Sequence, residues 1–180
     1  MEIVNGERLV LGTCYYPEHW DESLWRDDLK RMLENGIEVI RIAEFAWSKI
    51  ERYEGVFNYD FFDRFLDVAA DMGMKVIFCT PTATPPAWLT EKYPEVLNAN
   101  MDGVLYRHGG RRHYNYNSPK YQELTRIIVE KSASHYAKHP AIIGWQIDNE
   151  LNCEKNEFYS ESDTIAFRKF LMEKYGALMH

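Results

Sequence analysis

The sequence predicts an α/β fold of about four strand–helix units, the size of the N-terminal half of a (β/α)8 barrel. Three observations carry that expectation. Short apolar runs alternate four times with helical-period patterns, and such alternation gives a parallel sheet with right-handed crossovers. The first strand-to-helix turn, residues 13–21, is rich in Tyr, Trp and His and lacks the glycine spacing with which a doubly wound fold cradles phosphate. Residues 80–117 form a segment far too long for a plain connector, and in barrels the loops that follow strands build the active site. A full barrel needs about 200 residues at minimum. The 180 residues are therefore expected to be one partial barrel domain, 1–180, with no repeat, linker or second domain.

Each element has its own justification. Strands are expected at residues 9–11, 39–42, 76–79 and 142–147, apolar runs of buried-strand length. In the first helix Trp25, Leu29, Met32 and Leu33 recur at i, i+4, i+7 and i+8, between Asp21 as opener and Gly36 as terminator. Phe61, Phe62, Phe65, Leu66 and Ala69 form the second stripe, opened by Asn58 or Asp60 and closed by Gly73. Ser118-Pro119 reads as an N-cap with proline at the first helical position, starting a third helix through Leu124, Ile127 and Ile128. A fourth pattern runs from Ser162 through Ile165, Phe170 and Leu171 to Gly176.

Composition narrows the function. With 21 Lys and Arg against 28 Asp and Glu, the net charge is −7, and the clustered cations of a nucleic-acid footprint are missing. No apolar run approaches the ~20 residues that span a bilayer. Residues 1–7 lack the basic and apolar regions of a signal peptide. Cys14, Cys79 and Cys153 are an odd number, far apart, in no CxxC pair. A disulfide scaffold is not expected, and the reading is a soluble cytoplasmic protein with neither nucleic-acid nor membrane partners.

The sharpest chemical signal is Trp145-Gln146-Ile147-Asp148-Asn149-Glu150, an apolar strand ending in three polar residues. On an extended strand Asp148 and Glu150 would share one face, with Asn149 on the other. A carboxylate beside a side-chain amide suits glycoside hydrolysis, the acid protonating the leaving oxygen while the amide holds a sugar hydroxyl. Read alone, the tripeptide is equally a polar turn. Aromatic and imidazole side chains follow three successive strands: Tyr15, Tyr16, His19, Trp20, Phe45, Trp47 and Trp88. Any one of them is more simply core, but their repetition suits stacking on sugar faces. The run Gly109-Gly110-Arg111-Arg112-His113-Tyr114 adds cations, or else a solvated basic turn. His108 and His113 lack metal-spaced partners, and no nucleophile elbow or phosphate loop is present.

Taken in order, these segments resemble the β-galactosidases of glycoside hydrolase family 42. The resemblance rests on Tyr15-Tyr16-Pro17-Glu18-His19-Trp20, Arg41-Ile42-Ala43-Glu44-Phe45-Ala46-Trp47-Ser48, Thr80-Pro81-Thr82-Ala83-Thr84-Pro85-Pro86-Ala87-Trp88-Leu89, Arg111-Arg112-His113-Tyr114 and Gln146-Ile147-Asp148-Asn149-Glu150. It implies a (β/α)8 barrel that hydrolyses terminal β-D-galactose with retention through two glutamates. Glu150 matches the proton donor, the general acid/base after the fourth strand. Arg112 and Asn149 match residues that hold the galactose. The nucleophile follows the seventh strand, outside these residues. Asn115 stands where zinc-bearing members have a first cysteine, and Cys153 has no cluster around it, so no metal or cofactor is expected. The implied partner is a β-galactoside oligosaccharide, and the open barrel edges lead us to expect a homo-oligomer. Another barrel glycosidase, such as a β-glucosidase or arabinosidase, and a non-catalytic sugar-binding remnant are the alternatives.

Overall fold

The computed structural model describes residues 9–151, 153 and 155–176; the signal-peptide reading of residues 1–7 lies outside them. In chain order the elements are β1 (Leu11–Cys14), α1 (Trp25–Glu34), β2 (Ile37–Ile42), α2 (Trp47–Ile50), β3 (Glu51–Tyr53), β4 (Val56–Phe57), α3 (Asp60–Asp71), β5 (Lys75–Cys79), α4 (Ala87–Lys92), α5 (Pro119–Tyr136), β6 (Ile142–Gln146) and α6 (Glu161–Tyr175).

Four strands form one sheet in the order β1-β2-β5-β6, and each neighbouring pair is parallel. The order never reverses. A doubly wound fold has a switch point at which it does, whereas a barrel adds each strand beside the last. The antiparallel pair β3–β4 is a small hairpin inside the second crossover, turned by Gly55 at φ 78°.

Strand parity divides the sheet into two faces. Ile40, Ile42, Val76 and Phe78 are fully buried and pack with Leu29 of α1 and with Phe62, Phe65 and Leu66 of α3. Trp25 meets Phe61 and Phe65 edge-on at 5.2 Å each. Burying each such side chain stabilises the fold by roughly 1.5–3 kcal/mol, so this helix-facing layer is the core. The opposite parity places polar side chains on the inner face: the Arg41 guanidinium donates to Gln146 Oε1 at 2.8 Å and to Cys14 Sγ at 3.0 Å, tying β2 to β6 and β1.

Boundaries follow local chemistry. Asp21 caps a single turn at Glu22–Leu24 before α1 begins, and Asn58 Oδ1 accepts the Asp60 amide at the start of α3. Ser118 accepts the Tyr121 amide at the head of α5. Several boundaries shift: the second and third strands begin at Ile37 and Lys75 rather than at 39 and 76, and the last helix is capped by Ser160 rather than opened at Ser162. The first strand lies at Leu11–Cys14 rather than 9–11, because Gly12, Thr13 and Cys14 pair with Val39, Ile40 and Arg41. The last strand stops at Gln146, not 147. Among the described residues no helix is long and apolar enough to cross a membrane.

Candidate active site

The carboxyl ends of the parallel strands carry the polar constellation, as the barrel geometry requires. At the end of β2 the chain turns through Ala43 at φ 73°, which delivers Glu44 into the interior. Glu44 is fully buried. Its Oε1 accepts from the Tyr16 hydroxyl at 2.8 Å and from Arg41 at 2.6 Å. Tyr16 in turn stacks on His19 at 5.2 Å and on Phe45 at 6.1 Å. The adjacent Cys79 thiol is pushed up to about 12 by burial and by the Glu44 charge, and so stays protonated.

At the end of β6 the expected extended strand gives way to a turn. Asp148 and Glu150 both adopt left-handed conformations, φ 54° and 43°, so they do not share a strand face with Asn149 opposite. Asp148 and Asn149 are buried, whereas the Glu150 side chain is 53% exposed and its carboxylate pairs with Arg111. The turn is held from several sides. Thr80 Oγ1 accepts the Asp148 amide at 2.7 Å, Gln146 Nε2 donates to the Asp148 carbonyl at 2.8 Å, and Asp148 Oδ1 accepts the Asn149 amide at 2.7 Å.

Arg112 sits beneath this turn. Its guanidinium, 2% exposed, donates to the carbonyls of Asn149 and Glu150 and to the hydroxyls of Tyr114 and Tyr116. Burial drives the Tyr116 hydroxyl well above its ordinary titration range, so it stays protonated and donates a hydrogen bond to Asp148 Oδ2 at 3.2 Å. A recess of about 270 Å³ adjoins Asn149, walled by Phe45, Thr84, Pro85, Arg111 and His113. His113 donates from Nδ1 to the Gly110 carbonyl at 2.5 Å, and burial lowers its pKa so that the ring stays neutral.

The remaining aromatic residues divide. Tyr15 and Trp47 are core, Trp20 is exposed, and Trp88 donates to the Glu51 carbonyl at 3.1 Å. Sequence reasoning did not give roles to Arg41, Glu44, Thr80, Tyr114 or Tyr116. Arg41 had a visible signal, a cation at the inner-face parity of an otherwise apolar strand. Among the described residues no three His, Cys, Asp or Glu side chains are placed to hold a metal ion.

Residues 14–180 match the family profile of glycoside hydrolase family 42, described as β-galactosidase. The chain belongs to glycoside hydrolase family 42. Among its relatives, β-galactosidase BgaA of a Thermus species is 43% identical over 94% of this chain and 26% of its own length. β-Galactosidase Bga of Halorubrum lacusprofundi is 41% identical over 92% of this chain and 24% of its own length. The crystal structure of β-galactosidase from the psychrophilic Marinomonas ef1 superposes with a TM-score of 0.90 and 44% identity, over 93% of this chain and 26% of that one. The chain thus spans about a quarter of the length of these relatives. The sequential parallel strands are the first part of the family 42 catalytic barrel.

Proposed function

We propose that this chain supplies the acid/base part of a retaining β-galactosidase. The observation that carries the reading is the Asp148-Asn149-Glu150 turn, which presents an exposed carboxylate at the carboxyl end of a parallel inner strand. In the first step Glu150 as a carboxylic acid gives its proton to the glycosidic oxygen. The bond from that oxygen to the anomeric carbon breaks while a second carboxylate, from outside these residues, bonds to the carbon. In the second step the Glu150 carboxylate takes a proton from water, whose oxygen displaces the second carboxylate. Asn149, its main chain fixed by Asp148 and its side chain beside the recess, holds a galactose hydroxyl. Arg112, expected to do the same, also lines the recess, and its guanidinium donates to main-chain carbonyls and tyrosine hydroxyls.

Residues 1–180 act as one continuous piece of the barrel domain, in the cytoplasm, within carbohydrate metabolism and on a β-galactoside oligosaccharide. The thiols of Cys14 and Cys79 fit a reducing compartment. A β-glucosidase or arabinosidase is less well supported, because relatives across the chain's length carry the β-galactosidase name.

The test is Glu150→Gln in the full-length enzyme that contains this chain. A general acid contributes about 10²–10⁴-fold, so kcat/KM for lactose should fall by that factor. A nitrophenyl β-galactoside, whose leaving group needs little protonation, should lose less in kcat/KM. Lactose turnover by the variant at the parent rate would remove Glu150 from the mechanism.

A further inference from the structure

Arg112 is buried and, among the described residues, its guanidinium touches no carboxylate, so it needs another explanation. Placing a guanidinium in the interior is costly unless its donors are satisfied; here the carbonyls of Asn149 and Glu150 take up one terminal nitrogen, while Nε is buried without a partner among the described residues. The two donor nitrogens divide the work. One grips the Asn149–Glu150 main chain; the other reaches the Tyr114 and Tyr116 hydroxyls. Tyr116 relays the grip to the Asp148 carboxylate, whose other oxygen holds the Asn149 amide. The turn is therefore enclosed from both sides by one network that starts at Arg112.

The turn needs that enclosure. Left-handed conformations at non-glycine residues are strained and persist only where their surroundings over-determine them. Asp148 and Glu150 both have such conformations, and Arg112, at φ 58°, has one too. Without the guanidinium the Asn149 carbonyl loses its donor and the Glu150 carbonyl keeps only the Cys153 amide, at 2.9 Å, so the turn is freer to relax toward extended backbone. The Glu150 carboxylate moves with it, and a displacement of about 1 Å is enough to lower a rate about 10²-fold.

We propose that Arg112 is a positioning residue, whose buried guanidinium fixes the Asn149–Glu150 main chain so that the Glu150 carboxyl meets the leaving-group oxygen. The inference rests on the reading of Glu150 as acid/base. It differs from a sugar-holding arginine in what a substitution should change. Poor positioning of a proton donor penalises substrates in proportion to their need for a proton. Loss of a contact to galactose penalises every galactoside alike.

The experiment is a leaving-group series on the full-length enzyme: alkyl, phenyl, nitrophenyl and dinitrophenyl β-galactosides, with kcat/KM measured for the parent, Arg112→Met and Tyr116→Phe. For Arg112→Met, kcat/KM should fall about 10²-fold on the alkyl galactoside and several-fold less on the dinitrophenyl one. The plot of log kcat/KM against leaving-group pKa should steepen accordingly. Tyr116→Phe removes only the relay and keeps the ring, so it should steepen the plot in the same direction with smaller amplitude. It also serves as the test if Arg112→Met does not fold. A uniform loss across the series, from a lost sugar contact or from fewer folded molecules, would overturn the proposal, as would an unchanged slope in Tyr116→Phe. A parent enzyme inactive on every galactoside would instead sink the β-galactosidase reading.

Discussion

Four non-glycine residues adopt left-handed conformations among the described residues: Ala43, Asp148 and Glu150 just past the ends of β2 and β6, and Arg112 in the long segment between α4 and α5. Strain of this kind persists where packing and hydrogen bonds hold it, and at these ends it aims side chains that a regular strand would point elsewhere. Glu44 and Glu18 each keep one buried oxygen without a hydrogen-bond partner among the described residues, but Arg41 and Tyr16 both donate to the other oxygen of Glu44. Burial raises the pKa of Glu18, opposed in part by its own backbone amide and by His19. A carboxyl whose folded pKa is raised contributes stability below its unfolded pKa, and that contribution is lost as pH rises through the folded value. Glu18→Gln should therefore raise the Tm at neutral pH, by an amount corresponding to about 1 kcal/mol. The advantage should shrink as pH falls back through the ordinary carboxylate range. A Tm difference independent of pH would show that the Glu18 charge carries no such penalty.

At the scale of elements, α6 is fastened to the long loop after β5 by polar contacts rather than by an apolar stripe. Asp163 Oδ2 accepts the Ser160 amide at 3.0 Å and the Asn115 side-chain amide at 2.5 Å, while Oδ1 accepts from Asn117 at 2.7 Å. Asp163→Ala removes the capping box and leaves buried donors unpaired, which should destabilise the enzyme by roughly 2–3 kcal/mol, read as a lowered Tm. A change within ±0.5 kcal/mol would mean that the junction adds little. This junction was not legible in the sequence, because residues 115 and 163 lie far apart and meet only through the fold. The fourth helix itself was legible from its pattern, but Ile165 and Phe170 on that pattern are largely exposed: periodicity reports an amphipathic face without saying what covers it. The first three helices were legible because Asp21, Asn58 and Ser118 are short-range caps and Gly36 and Gly73 supply positive φ where the helices stop. The β3–β4 hairpin was missed, since strands of three and two residues carry almost no period-2 signal. The position of Glu150 after the last strand was legible, but its face was not, because nothing in Asp148-Asn149-Glu150 encodes left-handed backbone without the arginine that grips it.

At the scale of the molecule, the inner face of the sheet and its two outer strands decide how residues 1–180 behave in isolation. All four residues of β1 are exposed, and Leu9, Val10 and Leu11 before and within it show large apolar surface. Beyond β6, Ile147 is 76% exposed, and Phe167, Phe170 and Met172 of α6 are likewise open. A parallel sheet is stable when both faces are covered, and an unpaired strand edge templates association with another chain. The helices cover one face of this sheet; the inner face carries Arg41 and Gln146 with no layer opposite among the described residues. Two copies joined edge to edge would cover both inner faces, so the isolated chain should self-associate, with a dimer as the smallest stable form. It should also be inactive. On the proposed reading Glu150 supplies the proton, but the carboxylate that must attack the anomeric carbon lies about 5–5.5 Å from the acid in a retaining site, and the family 42 resemblance implies that it follows a seventh strand. Light scattering on the purified chain should give at least twice the monomer mass of 21.3 kDa, and a nitrophenyl β-galactoside should not be turned over. A well-behaved monomer with turnover would reverse both conclusions at once. The nucleophile would then have to be one of the chain's own carboxylates at the strand ends, with Glu44 the first to substitute.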